Sequence, residues 1–225
     1  MLRLFICFSI VFASFAANAN TGSKNNVTDL NKNKVSQWEH KIFEGQTAYS
    51  IVNHKGKRAL KAQSAGTASG LFYKERIDLK KTPFMQWSWL AEKKLKQFNE
   101  QSKSGDDFVA RVYVVIDGGM AVWNSKSLSY VWSSNQAKGQ VWNNPYTGSK
   151  VKMLSLRGKG DSLGQWKNEK RNVYKDLIQY FGNKGNDNAN QKAYRFIDVV
   201  AIMTDTDNSK STAESYYGDI TFSAR

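Results

Sequence analysis

The chain has 225 residues and carries 33 Lys and Arg against 19 Asp and Glu, a formal charge of +14. Hydrophobic residues make up 40% and aromatic residues 13%, which is enough apolar surface for a packed core and excludes wholesale disorder. One Cys, two His and two Pro exclude a disulfide-rich scaffold, a Cys/His zinc module and a collagen-like repeat. The composition therefore predicts a basic globular protein of one domain's length.

Residues 1–19 have the features of an export signal. Arg3 precedes an apolar run from Leu4 to Phe15, and Ala17-Asn18-Ala19 supplies the small residues of a cleavage site. The run is shorter than the roughly 20 residues that a membrane-spanning helix needs. We expect cleavage after Ala19, a periplasmic or secreted location, and no membrane span after cleavage. The only cysteine, Cys7, would be removed with the signal.

The remaining chain divides into a polar leader and one domain. Residues 20–36 are rich in Asn and Lys and predict a flexible leader. In residues 37–225, short apolar segments alternate with turn residues, mostly with a period of two, which is typical of an all-β protein. The segment 108–116 is apolar on both faces, which predicts a central strand of a sandwich.

A single segment has helical spacing. Val173, Leu177 and Phe181 recur every four residues and Gly182 follows, which predicts an amphipathic helix with a glycine stop. The next residues, 182–190, are predicted as a polar loop. Roughly eight to ten strands with one amphipathic helix predict a two-sheet β-sandwich of jelly-roll or galactose-binding-like type.

Several segments, in this order, resemble a known family. They are 107–115 (DFVARVYVV), 128–132 (LSYVW), 169–173 (EKRNV), 201–208 (AIMTDTDN) and 216–220 (YYGDI). This set resembles the secreted bacterial proteins of domain-of-unknown-function family 3047, over residues 38–222. The resemblance implies a signal peptide, one extracytoplasmic domain and no assigned activity.

A second resemblance concerns the edges of the domain. Phe43-Glu44-Gly45, Ala59-Leu60-Lys61-Ala62 and Gly218-Asp219-Ile220 resemble the edges of galactose-binding-like carbohydrate modules. That resemblance implies a carbohydrate ligand.

Arg111 lies in the middle of the predicted central strand, where a buried guanidinium needs a partner. One interpretation is a structural ion pair, for which we expect Asp219 as the partner. The other is a ligand-binding group that takes a carboxylate or sulfate. Tyr113 shares the strand face of Arg111, and both Tyr113 and Asp219 are expected to line the same ligand-binding site.

A second set of candidate ligand-binding residues lies in the loop around residue 142. Trp142 is predicted to be exposed, and Asn144 and Tyr146 lie beside it. An exposed aromatic ring with neighbouring polar groups is a platform for a sugar. The alternative interpretation of Trp142 is a core residue, as for most aromatic residues of a sandwich.

The segment 204–208 concentrates oxygen ligands after a predicted buried strand. Asp205, Asp207 and Asn208 could hold a structural Ca²⁺, because carboxylate and amide oxygens are its preferred ligands. The segment is not an EF-hand loop, since Lys210 and Tyr216 stand where Gly and Glu are required. The alternative is an Asx-type turn. We predict no other cofactor.

No catalytic motif is evident. Asp106 and Asp107 are adjacent on a predicted strand and would point to opposite faces, so they would not act on one substrate together. The dispersed lysines indicate a solvated surface and argue against nucleic acid as a partner.

We predict a monomeric, non-catalytic protein that binds carbohydrate, with an acidic polysaccharide or envelope glycan as partner. The alternatives are a polysaccharide hydrolase or lyase on a jelly-roll scaffold, and a structural envelope protein.

Overall fold

The computed structural model describes residues 24–96, 98–119 and 124–225. The predicted signal peptide, residues 1–19, and the first part of the predicted leader lie outside the described residues. The strands are β1 (Asn25–Asn26), β2 (Glu39–Glu44), β3 (Ala48–His54), β4 (Lys57–Ala65), β5 (Ala68–Asp78), β6 (Phe84–Ala91), β7 (Ala110–Ile116), β8 (Lys126–Trp132), β9 (Val141–Asn144), β10 (Gly148–Arg157), β11 (Lys167–Asn172), β12 (Phe196–Asp205), β13 (Thr212–Tyr217) and β14 (Thr221–Ser223). The α-helices are α1 (Val173–Phe181) and α2 (Asp187–Tyr194).

The strands form two sheets. The first has the order β1-β14-β6-β13-β4-β3, with β11 also paired to β6. The second has the order β2-β5-β12-β7-β8-β10-β9. Its pairs are antiparallel except for β8 with β10, which are parallel. The predicted two-sheet β-sandwich of jelly-roll type is confirmed.

The core lies between the sheets. Trp87 and Trp89 of β6 are buried and meet edge to face, with ring centroids 5.5 Å apart. From the second sheet, Val112 and Val114 of β7 are fully buried. The strand β7 lies between β12 and β8, as expected for a segment that is apolar on both faces. Because side chains alternate along a strand, the residues of β7 that alternate with Val112 and Val114 face the outer side of the second sheet.

The predicted helix is present as α1, and a second helix follows it. The side chain of Asn172 caps α1 by accepting a hydrogen bond from the backbone N–H of Lys175. The predicted loop is shorter than expected, because α2 begins at Asp187. Tyr194 at its end is buried, and its hydroxyl donates to the carbonyls of Phe181 and Gly182. Among the described residues, no helix is long and apolar enough to cross a membrane.

The prediction of a flexible leader is wrong for residues 24–36. Asn25 and Asn26 form β1, which pairs with β14. Val27, Leu30 and Val35 are buried in the core. Three apolar residues spaced through a polar segment set no regular period, so the sequence pattern did not reveal their packing.

Candidate functional site

A cleft of about 580 Å³ lies on the outer face of the second sheet. Its floor follows from the strand register, which sets Phe72 of β5, Tyr113 of β7, Ser129 of β8 and Met153 of β10 in one row across the sheet. Ala201 of β12 occupies the same row between Phe72 and Tyr113 and is fully buried. The cleft extends from the edge strand β2 to the turn between β9 and β10.

Three aromatic side chains lie next to one another along the cleft, and we call them the aromatic row: Phe43, Phe72 and Tyr113. The rings of Phe43 and Phe72 meet at 6.3 Å and those of Phe72 and Tyr113 at 5.6 Å, both edge to face. Phe43 is 61% exposed, a large value for an aromatic side chain. The row therefore offers an apolar surface that nothing in the described chain covers completely.

Four carboxylates form the opposite feature, which we call the acidic corner: Asp106, Asp107, Asp205 and Asp207. Asp205 is the last residue of β12 and Asp207 follows it, whereas Asp106 and Asp107 precede β7. Oxygens of Asp107, Asp205 and Asp207 lie within 4.8 Å of one another. Asp106, Asp205 and Asp207 line the cleft.

Arg111 is the cation of the acidic corner. Its Nε donates to Asp205 Oδ1 at 3.0 Å, and its Nη2 donates to Asp205 Oδ2 and to the carbonyl of Asp106. The guanidinium also lies 4.5 Å from the ring centroid of Phe108. Arg111 is therefore held in a buried ion pair, in line with the structural interpretation of this residue.

The predicted partner of Arg111, Asp219, is wrong. Asp219 lies between β13 and β14, and its Oδ1 accepts hydrogen bonds from the Thr28 hydroxyl and the Leu30 backbone N–H. It therefore anchors the N-terminal segment of the domain and does not line the cleft.

Burial dominates the titration of the acidic corner. It raises the pKa of Asp205 to about 8, and the charges of Asp107 and Asp106 add to the rise while Arg111 opposes it. Burial also raises the pKa of Asp106 and of Asp207, and Asp107 raises that of Asp207 further. The acidic corner contains four carboxyl groups and one guanidinium, that of Arg111. The corner therefore either keeps a proton near neutral pH or carries excess negative charge.

The acidic corner includes only part of the predicted calcium site. Asp207 and Asp205 belong to it, but Asn208 is already committed: its Oδ1 accepts from the Tyr146 hydroxyl and its amide donates to Asp107. Asp107 takes the place of Asn208 in the cluster of close oxygens. Its two oxygens accept hydrogen bonds from the backbone N–H groups of Asn208 and Ser209. Calcium binding stays a prediction.

The predicted platform around Trp142 is only partly exposed. Trp142 is 8% exposed, because β9 pairs with β10 and places the ring against Phe108, with centroids 6.1 Å apart. The prediction that it is exposed is wrong. Asn144 lines the cleft and donates to Asp106 Oδ2 at 2.8 Å. Tyr146 lines it as well and is 55% exposed. Of the predicted ligand-binding residues, the cleft thus collects Arg111, Tyr113, Asn144 and Tyr146.

The family model of the proteins of unknown function DUF3047 matches residues 36–221. The chain belongs to this family. Every residue that lines the cleft of this DUF3047 protein lies within the matched range. Comparison with curated proteins finds no match.

Solved structures similar to this DUF3047 protein include three with low sequence identity. TmCBM61 in complex with β-1,4-galactotriose has a TM-score of 0.39 and 13% identity, over 91% of this chain and 96% of that one. The xyloglucanase domain of NopAA, a type three effector from Sinorhizobium fredii, has a TM-score of 0.45 and 10% identity, over 84% and 93%. Endoglucanase cel12A from Rhodothermus marinus has a TM-score of 0.44 and 7% identity, over 82% and 94%.

Sequence reasoning missed two parts of the cleft of this DUF3047 protein. Phe72 follows the buried Leu71 and is an apolar residue on the outward face of β5, which alternation alone could have indicated. The sequence pattern predicts Asp106 and Asp107 on a strand, but β7 begins only at Ala110, so that strand assignment is wrong. Both carboxylates belong to the acidic corner, but only Asp106 lines the cleft. That the two do not act on one substrate together stays a prediction.

Proposed function

We propose that this DUF3047 protein is an exported, non-catalytic carbohydrate-binding protein whose cleft on the second sheet holds a sugar chain. The observation that carries the proposal is the aromatic row beside the acidic corner in one open cleft. A sugar ring has apolar C–H faces and a rim of hydroxyl groups. Its recognition therefore needs an apolar surface and hydrogen-bonding groups side by side.

The cleft supplies both kinds of group over a length that suits a polymer. Phe43 at one edge strand offers the exposed apolar ring, and Ser129, Tyr146 and Asp207 offer polar atoms farther along. Because the cleft reaches from β2 to the turn beside β9, it crosses the sheet from one edge strand to the other. A chain of sugar units can lie across the sheet in this direction.

The arrangement of the carboxylates favours binding over hydrolysis. Glycoside hydrolysis requires two carboxyl groups that flank the scissile bond. Both oxygens of Asp205 bind the guanidinium of Arg111, and both oxygens of Asp107 accept backbone N–H groups. These two residues are held in structural contacts at one corner of the cleft.

A second candidate function is hydrolysis of a polysaccharide. It is supported by Asp106 and Asp207, which line the same cleft and whose pKa burial raises above the ordinary value, which is the direction that a general acid needs. Product analysis separates the two functions. New reducing ends that disappear in Asp106→Asn would establish hydrolysis in place of the proposed non-catalytic binding.

The binding proposal is tested with residues 20–225 and a panel of oligosaccharides, followed by calorimetry on those that bind. Phe43→Ala removes the exposed end of the aromatic row and should weaken binding by about tenfold. Ile42→Ala is the matched control, because Ile42 is 57% exposed on the same strand but does not line the cleft. Equal affinities of the two variants would contradict the proposal.

A further inference from the structure

The cleft is locally acidic although the protein is basic. Among the described residues that line it, the acids are Glu44, Asp106, Asp205 and Asp207, and Arg111 is the one base. Three lysines reach its rim: Lys41 lies over the Phe72 ring, Lys103 lies over the Tyr146 ring, and Lys210 lies 3.9 Å from Glu44. The excess of carboxylates is therefore greatest inside the cleft, at the acidic corner.

Arg111 does not satisfy the whole corner. Its Nε and Nη2 are directed at Asp205 and at the carbonyl of Asp106, and its Nη1 lies 3.7 Å from Asp106 Oδ2. Asp106 is 6% exposed, and its Oδ1 has no hydrogen-bond partner among the described residues. The side chain of Asp207 contacts the Asn208 amide at 3.4 Å and the carboxyl group of Asp107, and no hydrogen bond joins it to Arg111 among the described residues.

A buried carboxylate oxygen without a donor costs free energy, and so does crowding of like charges. A ligand that brings a positively charged hydrogen-bond donor into the cleft reduces both of these unfavourable contributions. We propose that the cleft selects sugar chains that carry ammonium groups, and that Asp106 and Asp207 receive the ammonium while the aromatic row holds the ring. This inference rests on the proposed carbohydrate-binding function.

An ammonium group suits the corner better than Ca²⁺ or an anionic sugar does. Ca²⁺ takes about six to eight oxygen ligands, whereas an ammonium needs acceptors for three N–H groups. The oxygens of Asp205 and Asp107 already accept hydrogen bonds from N–H groups, so few oxygen ligands remain for a metal ion. A carboxylated sugar would be repelled by Asp106 and Asp207, and Arg111 is occupied.

The test uses three β-1,4-linked hexasaccharides with the same backbone: cellohexaose, the N-acetylglucosamine hexamer and the glucosamine hexamer. Calorimetry at about pH 6 keeps most amino groups charged. We expect the glucosamine hexamer to bind about tenfold more tightly than the other two, with a preference that shrinks as salt is added. The net charge of +14 repels a cationic ligand. A preference for the glucosamine hexamer must therefore come from the carboxylates of the cleft.

Asp207→Asn should remove most of this preference, because it deletes one carboxylate that does not bind Arg111 and leaves Arg111 and its partner Asp205 in place. Asp187→Asn is the matched control: it makes the same charge change on α2, where the side chain is 65% exposed and outside the cleft. Circular dichroism confirms that both variants are folded. A preference that survives in Asp207→Asn, or that falls equally in both variants, would overturn the inference.

The remaining outcomes separate this inference from the proposed function. Equal binding of all three hexamers, weakened by Phe43→Ala, would overturn the amino-sugar preference and leave carbohydrate binding intact. If added Ca²⁺ strengthens binding of cellohexaose and abolishes the preference, the corner is a calcium site and the inference fails. If neither the hexamers nor any other glycan of the panel binds, the proposed function fails and the inference fails with it.

Discussion

Among the residues that the structure describes, Arg111 is the cation that compensates the charge of the acidic corner. Asp205 is 1% exposed and has both oxygens on the guanidinium. Arg111→Met should lower the free energy of unfolding by about 3–5 kcal/mol, because it leaves buried carboxylates without their cation. Urea denaturation measures the change. Arg76→Met is the control, since Arg76 is 67% exposed and 3.8 Å from Asp198, and it should change stability little. Equal effects would contradict the account of the corner.

The raised pKa values predict how stability depends on pH. Asp205 has an ordinary pKa of 3.8 and a folded value of about 8, so the folded chain binds more protons than the unfolded chain between these values. The free energy of unfolding should therefore fall as pH rises through this window, and Asp106 and Asp207 act in the same direction.

This dependence is measured by urea denaturation at pH 5 and pH 8 in the presence of a chelator. The wild-type chain should lose at least about 1 kcal/mol between the two, and Asp207→Asn should lose less. A chain that is more stable at pH 8 than at pH 5 would show that the corner is compensated by something other than protons and Arg111.

At the level of elements, the sequence predicts strands that have a regular alternation of apolar residues. It does not predict contacts that depend on pairing between strands distant in the chain. The alternation along β7 places Val112 and Val114 in the core and Arg111 and Tyr113 on the cleft face, as the sequence pattern indicates. The same reasoning fails where an element ends. Asp219 lies after the end of β13 and does not face Arg111. Trp142 points inward because β9 pairs with β10.

The two helices differ in the same way in how well the sequence predicts them. The spacing of Val173 and Leu177 reveals α1, whereas α2 consists largely of Asn, Gln and other polar residues and carries little apolar signal. The contacts that hold α2 in place include its Asn186 cap and the buried Tyr194. The first is a local signal that sequence reasoning could have used, and the second depends on packing against α1.

The N-terminal segment 24–36 should contribute to stability as part of the sandwich. Leu30 is 1% exposed, and its backbone N–H donates to Asp219. Leu30→Ala should lower the free energy of unfolding by about 2–4 kcal/mol because it leaves a cavity in the core. Lys32→Ala serves as control, since the Lys32 side chain is 83% exposed. If both variants unfold at the same urea concentration as the wild type, the segment does not pack as described.

At the scale of the whole molecule, charge is segregated. The chain carries +14 overall, whereas the lining of the cleft has an excess of acids. An acidic polysaccharide should therefore bind to the outer lysines, outside the cleft. We expect such binding to be lost in high salt and to be the same for wild type and Phe43→Ala. Binding of an acidic polymer that Phe43→Ala abolishes would contradict this separation of surface and cleft.

The central claim is that the outer face of the second sheet is where carbohydrate binds. Amide NMR spectra of isotope-labelled protein, titrated with the tightest-binding oligosaccharide, test it most directly. We predict that the shifted signals cluster at Phe43, Phe72, Tyr113 and Asp207 in the cleft. The contrary result is a cluster on the outer face of the first sheet, around His54 and Tyr216, whose rings stack at 3.7 Å.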